Sequence, residues 1–244
     1  MYLFNKLRYL SPILQSSSFE RFHTLKTLIK PFTITSYKNA SQRFNQNVCW
    51  KCGLERKNAA NVFCEECNVI QNPQETHNYF KVFNLEERFN LDTKELKDKY
   101  RKLQSYLHPD KFSTKSNEEK EISANYSSLV NKAYNSLQVP LRRAEHLLDL
   151  KGNSLEEGQT VDDPEFLMVM MELNEELENT NDVEQLKKLE VKNRNQLEKI
   201  TKNIDECFRN NDLKQAKHYV IKMKYYSSLG NRINALMREL GVID

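Results

Sequence analysis

The chain has 244 residues, 39% hydrophobic and 29% charged, enough to bury a core in one ordinary domain with smaller attachments. Its longest unbroken apolar run, Phe166 to Met171, has six residues against the roughly twenty that cross a bilayer, so no membrane span is expected. Five glycines and six prolines argue against collagen-like or turn-rich all-β architectures and for a mostly helical chain.

The net charge of +3 is unevenly placed. Residues 1–47 carry Lys6, Arg8, Arg21, Lys26, Lys30, Lys38 and Arg43 against Glu20 alone, a local +6 that leaves −3 for the remainder. A basic, Ser/Thr-rich leader containing Phe, Leu and Ile has the composition of a mitochondrial transit peptide, which would direct the protein to the matrix. A secretory signal fits poorly, because Ser11, Pro12 and Gln15 interrupt the stretch that should be apolar. The other reading of this composition is a disordered basic tail that binds nucleic acid or acidic lipid.

Residues 48–77 hold four of the five cysteines, as Cys49-Trp50-Lys51-Cys52 and Cys64-Glu65-Glu66-Cys67 with eleven residues between. Each such turn points two sulfurs the same way, so four thiolates can converge on one tetrahedral zinc. Gly53 permits the tight turn after the first pair, and Trp50 with Phe63 can cover a site too small to have its own core. Two disulfides and a redox-active pair are the competing readings. The first needs an oxidising compartment, and the second a thioredoxin-like βαβ setting that this sequence lacks. Four Cys ligands leave no open position for water, so the site is expected to be structural; thiolates would also accept iron. Only two basic residues lie in 54–58 and the second turn carries Glu65 and Glu66, which opposes binding to nucleic acid. Cys207 stands alone on a later helix and reads as a core thiol.

From residue 78 the pattern turns helical. Tyr79, Phe80, Phe83 and Leu85 make a short aromatic helix or turn. Asp92 and Glu95 form a capping box, behind which Leu96, Tyr100, Leu103 and Leu107 recur as one apolar face. The other face carries Lys94, Lys97, Lys99, Arg101 and Lys102. Pro109, in His108-Pro109-Asp110, disfavours helical geometry at the residue before it and stops the helix. Ser116 and Glu119 cap a further helix with Ile122, Tyr126, Leu129, Ala133 and Leu137 on one face, ended by Pro140. Pro140 to Gly152 is a short helix with Pro at its start and Gly at its end.

Two antiparallel amphipathic helices, the first basic, joined by a loop bearing His-Pro-Asp and preceded by a short aromatic element, resemble the J domain of DnaJ-type co-chaperones. The resemblance implies docking on an ATP-bound DnaK-type chaperone and stimulation of its ATP hydrolysis. It makes His108, Pro109 and Asp110 the indispensable contact, with Lys97, Lys99, Arg101 and Lys102 as complementary charge. Pro109 limits the loop's freedom, Asp110 offers a carboxylate that can take a bidentate Arg, and the basic face speeds encounter with an acidic surface. The plainer reading makes Asp110 a local turn acceptor and His108 a packing residue. No nucleophile sits at a defined spacing and no Gly-rich phosphate loop is present, so the chain is not expected to be an enzyme.

After a loop with Gly158 and Pro164, helices are expected at 164–178, 183–209 and 212–240, packed as an antiparallel three-helix bundle. On a wheel at 100° per residue, Phe166, Val169, Met170, Leu173 and Leu177 fall within about 60° of Phe166 and form a core stripe. Leu167, Met168 and Met171 point elsewhere and need another neighbour or a partner protein; Met is common on adaptable binding surfaces. Tyr225 lies opposite the stripe through Leu213, Ala216, Val220 and Met223, although Ile221 and Leu229 share its side, as in a helix sandwiched between two neighbours.

The order of parts is specific: a four-Cys module, Tyr79-Phe-Lys-Val-Phe-Asn-Leu85, His108-Pro-Asp-Lys-Phe112, Pro140-Leu-Arg-Arg-Ala-Glu-His-Leu-Leu148 and Phe166-Leu-Met-Val-Met-Met171. It resembles the HscB family, the J-type co-chaperones of iron–sulfur cluster biogenesis, over residues 79 to about 240, with the tetracysteine of the mitochondrial animal-type members. The resemblance implies a J domain over 78–150 and a bundle over 151–244 that binds an IscU-type scaffold through Leu167, Met168, Met171 and Tyr225, so that the cluster passes to recipient proteins. The family's Phe-Gly-Leu is Phe83-Asn84-Leu85 here, and Arg positions of bacterial members align with Asp162 and Asn174, which places the polar part of the scaffold contact in question. Two other readings stay open: a general mitochondrial J protein for import or folding, and a nucleic-acid-binding zinc module, against which the −3 of the processed chain speaks. Oligomeric state is unassigned.

Overall fold

Each helix begins where the sequence supplies an oxygen for its first amides or a proline that needs none. The computed structural model describes residues 47–242 apart from 59, 75, 157 and 181, and among these the fold is all-α with two isolated β-bridges. The basic leader lies outside the described residues. Asn78 caps α1 (Tyr79–Val82), accepting from the Phe80 and Lys81 amides. Asp92 caps α2 (Thr93–Tyr106), accepting from the Lys94 and Glu95 amides at 2.8 and 3.2 Å. The capping box expected there is realised only in that half, because Glu95 turns to Lys99, 3.0 Å away. At α3 (Asn117–Leu137) both halves form between Ser116 and Glu119.

Pro140 opens α4 (Pro140–Leu150) and Pro164 opens α5 (Pro164–Asn179); α6 (Val183–Arg209) and α7 (Leu213–Glu239) follow. The last three helices match the expected limits to within one residue. Asn84, in the position where the family resemblance supplies Gly, takes a left-handed φ of +49°, which Asn tolerates better than most residues.

Leu96 of α2 and Leu107 just after it share a core with Val130, Ala133 and Leu137 of α3, and along the outer seam Tyr100 stacks on Tyr134 at 4.0 Å. The bundle is built on the α6–α7 pair, and α5 lies against both. Between hairpin and bundle sits α4, in contact with α3 and α7, with Ala144, Leu147 and Leu148 buried. Two of its polar residues, Arg143 and His146, are buried too. Arg143 donates to the Leu137 carbonyl at 2.6 Å and lies over the Phe89 ring at 5.2 Å. His146 Nε2 accepts from the Tyr79 amide at 3.0 Å, and its ring stacks on Tyr79 at 4.3 Å. Burial holds His146 below its ordinary pKa, against the opposing pull of Asp149 and Glu87, which keeps the accepting lone pair. Phe89, from the segment before α2, stacks on Phe208 of α6 at 5.9 Å and ties the two halves a second time.

Val169 does not belong to the core stripe: it is 41% exposed, while Phe166, Met170, Leu173 and Leu177 are buried. The buried arc of α5 is narrower than the wheel's stripe, and Val169 falls about 70° from its centre. On α7, by contrast, Ile221 and Leu229 are buried, as a helix held between α6 and α4 requires.

Gly230 of α7 admits the buried Asn193 side chain of α6. A Cβ at 230 would stand 2.8 Å from Asn193 Nδ2, and Asn193 Oδ1 has no hydrogen-bond partner. Gly230→Ala gains about 1 kcal/mol of helix propensity but overpacks the crossing by about 1–3 kcal/mol. Urea denaturation should show the single variant destabilised by about 1 kcal/mol, and the same change in an Asn193→Ala background stabilising instead.

Candidate functional site

The four-Cys module is two matching turns. Cys49 N donates to Leu54 O at 2.9 Å and Cys64 N to Val69 O at 2.9 Å. The residue after each pair is left-handed, Gly53 at φ +73° and Asn68 at φ +54°. Sequence reading found the glycine but missed that Asn68 serves the same geometry, which Asn after the second knuckle could have signalled. In each turn one sulfur is buried, Cys49 or Cys64, and the other exposed, Cys52 or Cys67.

The four Sγ atoms lie within 4.8 Å of one another, with Cys49–Cys67 at 3.6 Å and Cys52–Cys64 at 3.8 Å. A disulfide would bring two sulfurs to about 2 Å. A tetrahedral ion with bonds of about 2.3 Å sets them roughly 3.8 Å apart, so the donor set fits a thiophilic metal. Gln71 Nε2 donates to Cys49 Sγ at 3.2 Å, an outer-shell bond to a buried sulfur. Burial raises the Cys49 thiol, but the backbone amides of Cys52 and Lys51 outweigh it and bring the group down to about 6. At Cys67 the Val69 amide is overcome by burial and the neighbouring sulfurs, which push the thiol up to about 12. Four sulfurs this close ionise together only beside a cation.

Trp50 covers this centre, with its Nε1 donating to Ile70 O at 2.6 Å. Phe63 does not join it. Its ring meets Tyr106 of α2 edge-on at 6.1 Å, and Val62 and Ile70 enter the main core, so the module is seated on the hairpin. Cys207 is half-buried, and burial with Asp212 and Glu206 raises its thiol.

The His-Pro-Asp loop is exposed between two buried anchors, Leu107 and Phe112. Pro109–Phe112 forms a single 3₁₀ turn, and His108 Nδ1 accepts the Asp110 amide at 3.3 Å. The Asp110 carboxylate stands 3.4 Å from the same nitrogen. Ser113 Oγ donates to Asp110 O at 2.9 Å, and Ser123 Oγ to Leu107 O at 3.0 Å, which fixes both ends of the loop. The basic set expected on α2 is divided. Lys97 and Arg101 lie on one flank of the helix, while Lys99 and Lys102, at least about 100° away, lie on the other beside the four-Cys module.

On α5, Met168 and Met171 are 64% and 65% exposed, and Val169, on the other flank of the helix, is exposed as well. Leu167 is half-buried against the core. Tyr225 is half-buried as well, edge-on to Phe166 at 5.5 Å. Lys222 caps this corner: its Nζ is 2.7 Å from Asp163 and 5.0 Å from the Phe166 centroid, and with the Phe166 amide it holds the Asp163 carboxyl below the usual range. Asn174 donates to Met170 O at 2.6 Å and accepts from Arg232 of α7, whose guanidinium also lies 3.2 Å from Glu178. Asp162 is exposed. Positive charge at this edge therefore comes from α7.

Comparison with known proteins places this geometry. The family described as HSCB C-terminal oligomerisation domain matches residues 162–234. The mouse (Mus musculus) iron–sulfur cluster co-chaperone protein HscB is 37% identical over 188 residues, 76% of this chain and 80% of that protein. The crystal structure of human co-chaperone protein HscB is 34% identical and superposes with a TM-score of 0.70, over 77% of this chain and 97% of that one. Chaperone HscB from Vibrio cholerae is 32% identical with a TM-score of 0.61, over 67% and 99%. The chain belongs to the HscB family.

Trp50 is the chain's single tryptophan and reports on the four-Cys cluster. Adding a strong chelator should change its fluorescence while leaving far-ultraviolet helicity nearly intact, since the helices carry their own core. Metal binding displaces thiol protons, so affinity measured by competition should rise with pH between about 6 and 8. Cys49→Ser should weaken binding most, because it removes the buried sulfur that Gln71 supports.

Proposed function

We propose that the chain is a co-chaperone of iron–sulfur cluster biogenesis that brings two partners together without catalysis of its own. The segment 78–150 acts as a J domain. Its His108-Pro109-Asp110 loop contacts a DnaK-type chaperone, with Lys97 and Arg101 steering the encounter and Lys99 and Lys102 adding to the field. The segment 151–244 presents Leu167, Met168, Met171 and Tyr225 to an IscU-type scaffold. Residues 48–77 hold one structural zinc on Cys49, Cys52, Cys64 and Cys67, and residues 1–47 are a transit peptide for the mitochondrial matrix.

The observation that supports this reading is that one folded chain has two unlike exposed features, a polar loop and an apolar patch, each on a supported backbone. The loop is pinned between Leu107 and Phe112. The methionines stand out from a helix whose other side is buried. Exposed, unbranched Met side chains adapt to a partner, and two of them beside the half-buried Leu167 make an apolar patch that water covers poorly. Arg232 beside Asn174 offers the polar rim for which Asp162 and Asn174 are themselves unsuited.

Single-turnover ATP hydrolysis by the cognate mitochondrial DnaK-type chaperone tests the assignment, with and without scaffold. His108→Gln should abolish stimulation, and Met168→Ala/Met171→Ala should keep basal stimulation but weaken scaffold binding by tenfold or more, on the order of hot-spot losses. Stimulation to which scaffold adds nothing would instead identify a general J protein.

A further inference from the structure

Where the four-Cys module meets the hairpin, a cleft of about 290 Å³ remains open. Pro73, Gln74 and Thr76 form one wall, from the stretch that leads out of the module. Its floor is apolar, made by Val82, Leu103 and Leu129. Lys81, Lys99 and Lys102 line it, and no carboxylate does among the described residues. Lys99 already shares its charge with Glu95 and donates to the Asn84 carbonyl at 2.8 Å. Lys81 and Lys102 make no ion pair among the described residues. Tyr126, only 8% exposed, also lines the cleft, and none of the described hydrogen bonds uses its hydroxyl.

We propose that this cleft is a docking site for a short acidic peptide segment of a partner protein, one apolar side chain on the floor and flanking carboxylates on Lys81 and Lys102. The site shares Lys99 and Lys102 with the basic face of α2 but contains neither the His-Pro-Asp loop nor the methionine patch, and its key contact, Lys81, belongs to neither assignment. An apolar floor beneath the ammonium groups of Lys81 and Lys102, which have no ion-pair partner among the described residues, selects an amphipathic anion over a free phosphate, which would leave the floor wet. The volume is about where small-ligand pockets begin, enough for one or two side chains and not for a folded element. Because one wall belongs to the four-Cys module, the site exists only in chains that carry that module.

The test is amide chemical-shift mapping on the 15N-labelled, metal-loaded full chain with the acetylated, amidated peptide Glu-Glu-Phe-Glu-Glu as probe. Shifts should cluster at Gln74, Lys81, Leu103 and Leu129, with Glu-Glu-Gly-Glu-Glu binding more weakly and Lys-Lys-Phe-Lys-Lys not at all. Lys81→Glu, at an exposed position that leaves the fold intact, should raise the dissociation constant about tenfold. Shifts that fall instead around Lys97, Arg101 and His108 would overturn the proposal. So would equal binding by the Lys81→Glu protein, competition by inorganic pyrophosphate as strong as by the peptide, or no binding while the bundle resonances report a folded chain.

Discussion

Ala144, Leu147 and Leu148 of α4 are removed almost wholly from water, with α3 on one side and α7 on the other. Truncating one such leucine to alanine typically costs about 2–5 kcal/mol, a large part of the roughly 5–15 kcal/mol that keeps a domain folded. The exposed ion pairs between elements, such as Arg232–Glu178 and Lys224–Glu145, contribute less than about 1 kcal/mol each. Apolar burial at α4, not surface charge, therefore sets the relation between hairpin and bundle. Arg143 and His146 make that burial specific, because each must keep its one partner, the Leu137 carbonyl or the Tyr79 amide, to be tolerated inside.

With α4 fixed, the remaining surfaces take fixed places. The His-Pro-Asp loop hangs from α2 and α3, which share the core that α4 enters, and the methionines stand on α5, carried by the α6–α7 pair. On the proposed reading, a chaperone on one and a scaffold on the other would be joined by a body with one continuous core. The four-Cys module adds to the same body through Phe63, Val62 and Ile70, and by doing so creates the lysine-lined cleft beside α2.

Local chemistry was legible in the chain: Ser116 with Glu119, Pro140, Pro164 and the two CxxC turns all act where their types imply. So was the exposure of Met168 and Met171, because a run of six apolar residues overfills one helical face. What periodicity cannot give is the width of a contact: the wheel puts Val169 inside, and the Glu95 half of a box gives way to a nearby lysine. Nor does spacing reveal which residue three elements away will face a side chain. Phe63 meeting Tyr106, Asn193 filling the space left by Gly230, and the separation of Lys99 and Lys102 from Lys97 and Arg101 all follow from packing.

Native-state hydrogen exchange in rising urea tests most directly whether hairpin, α4 and bundle form one cooperative body. The amides of Leu103, Leu148 and Ile204 should converge on a single opening free energy with a single denaturant slope. If the α2–α3 amides converged at a lower value and smaller slope than those of α6 and α7, the hairpin would be opening by itself, and the account of a rigid two-surface bridge would be wrong.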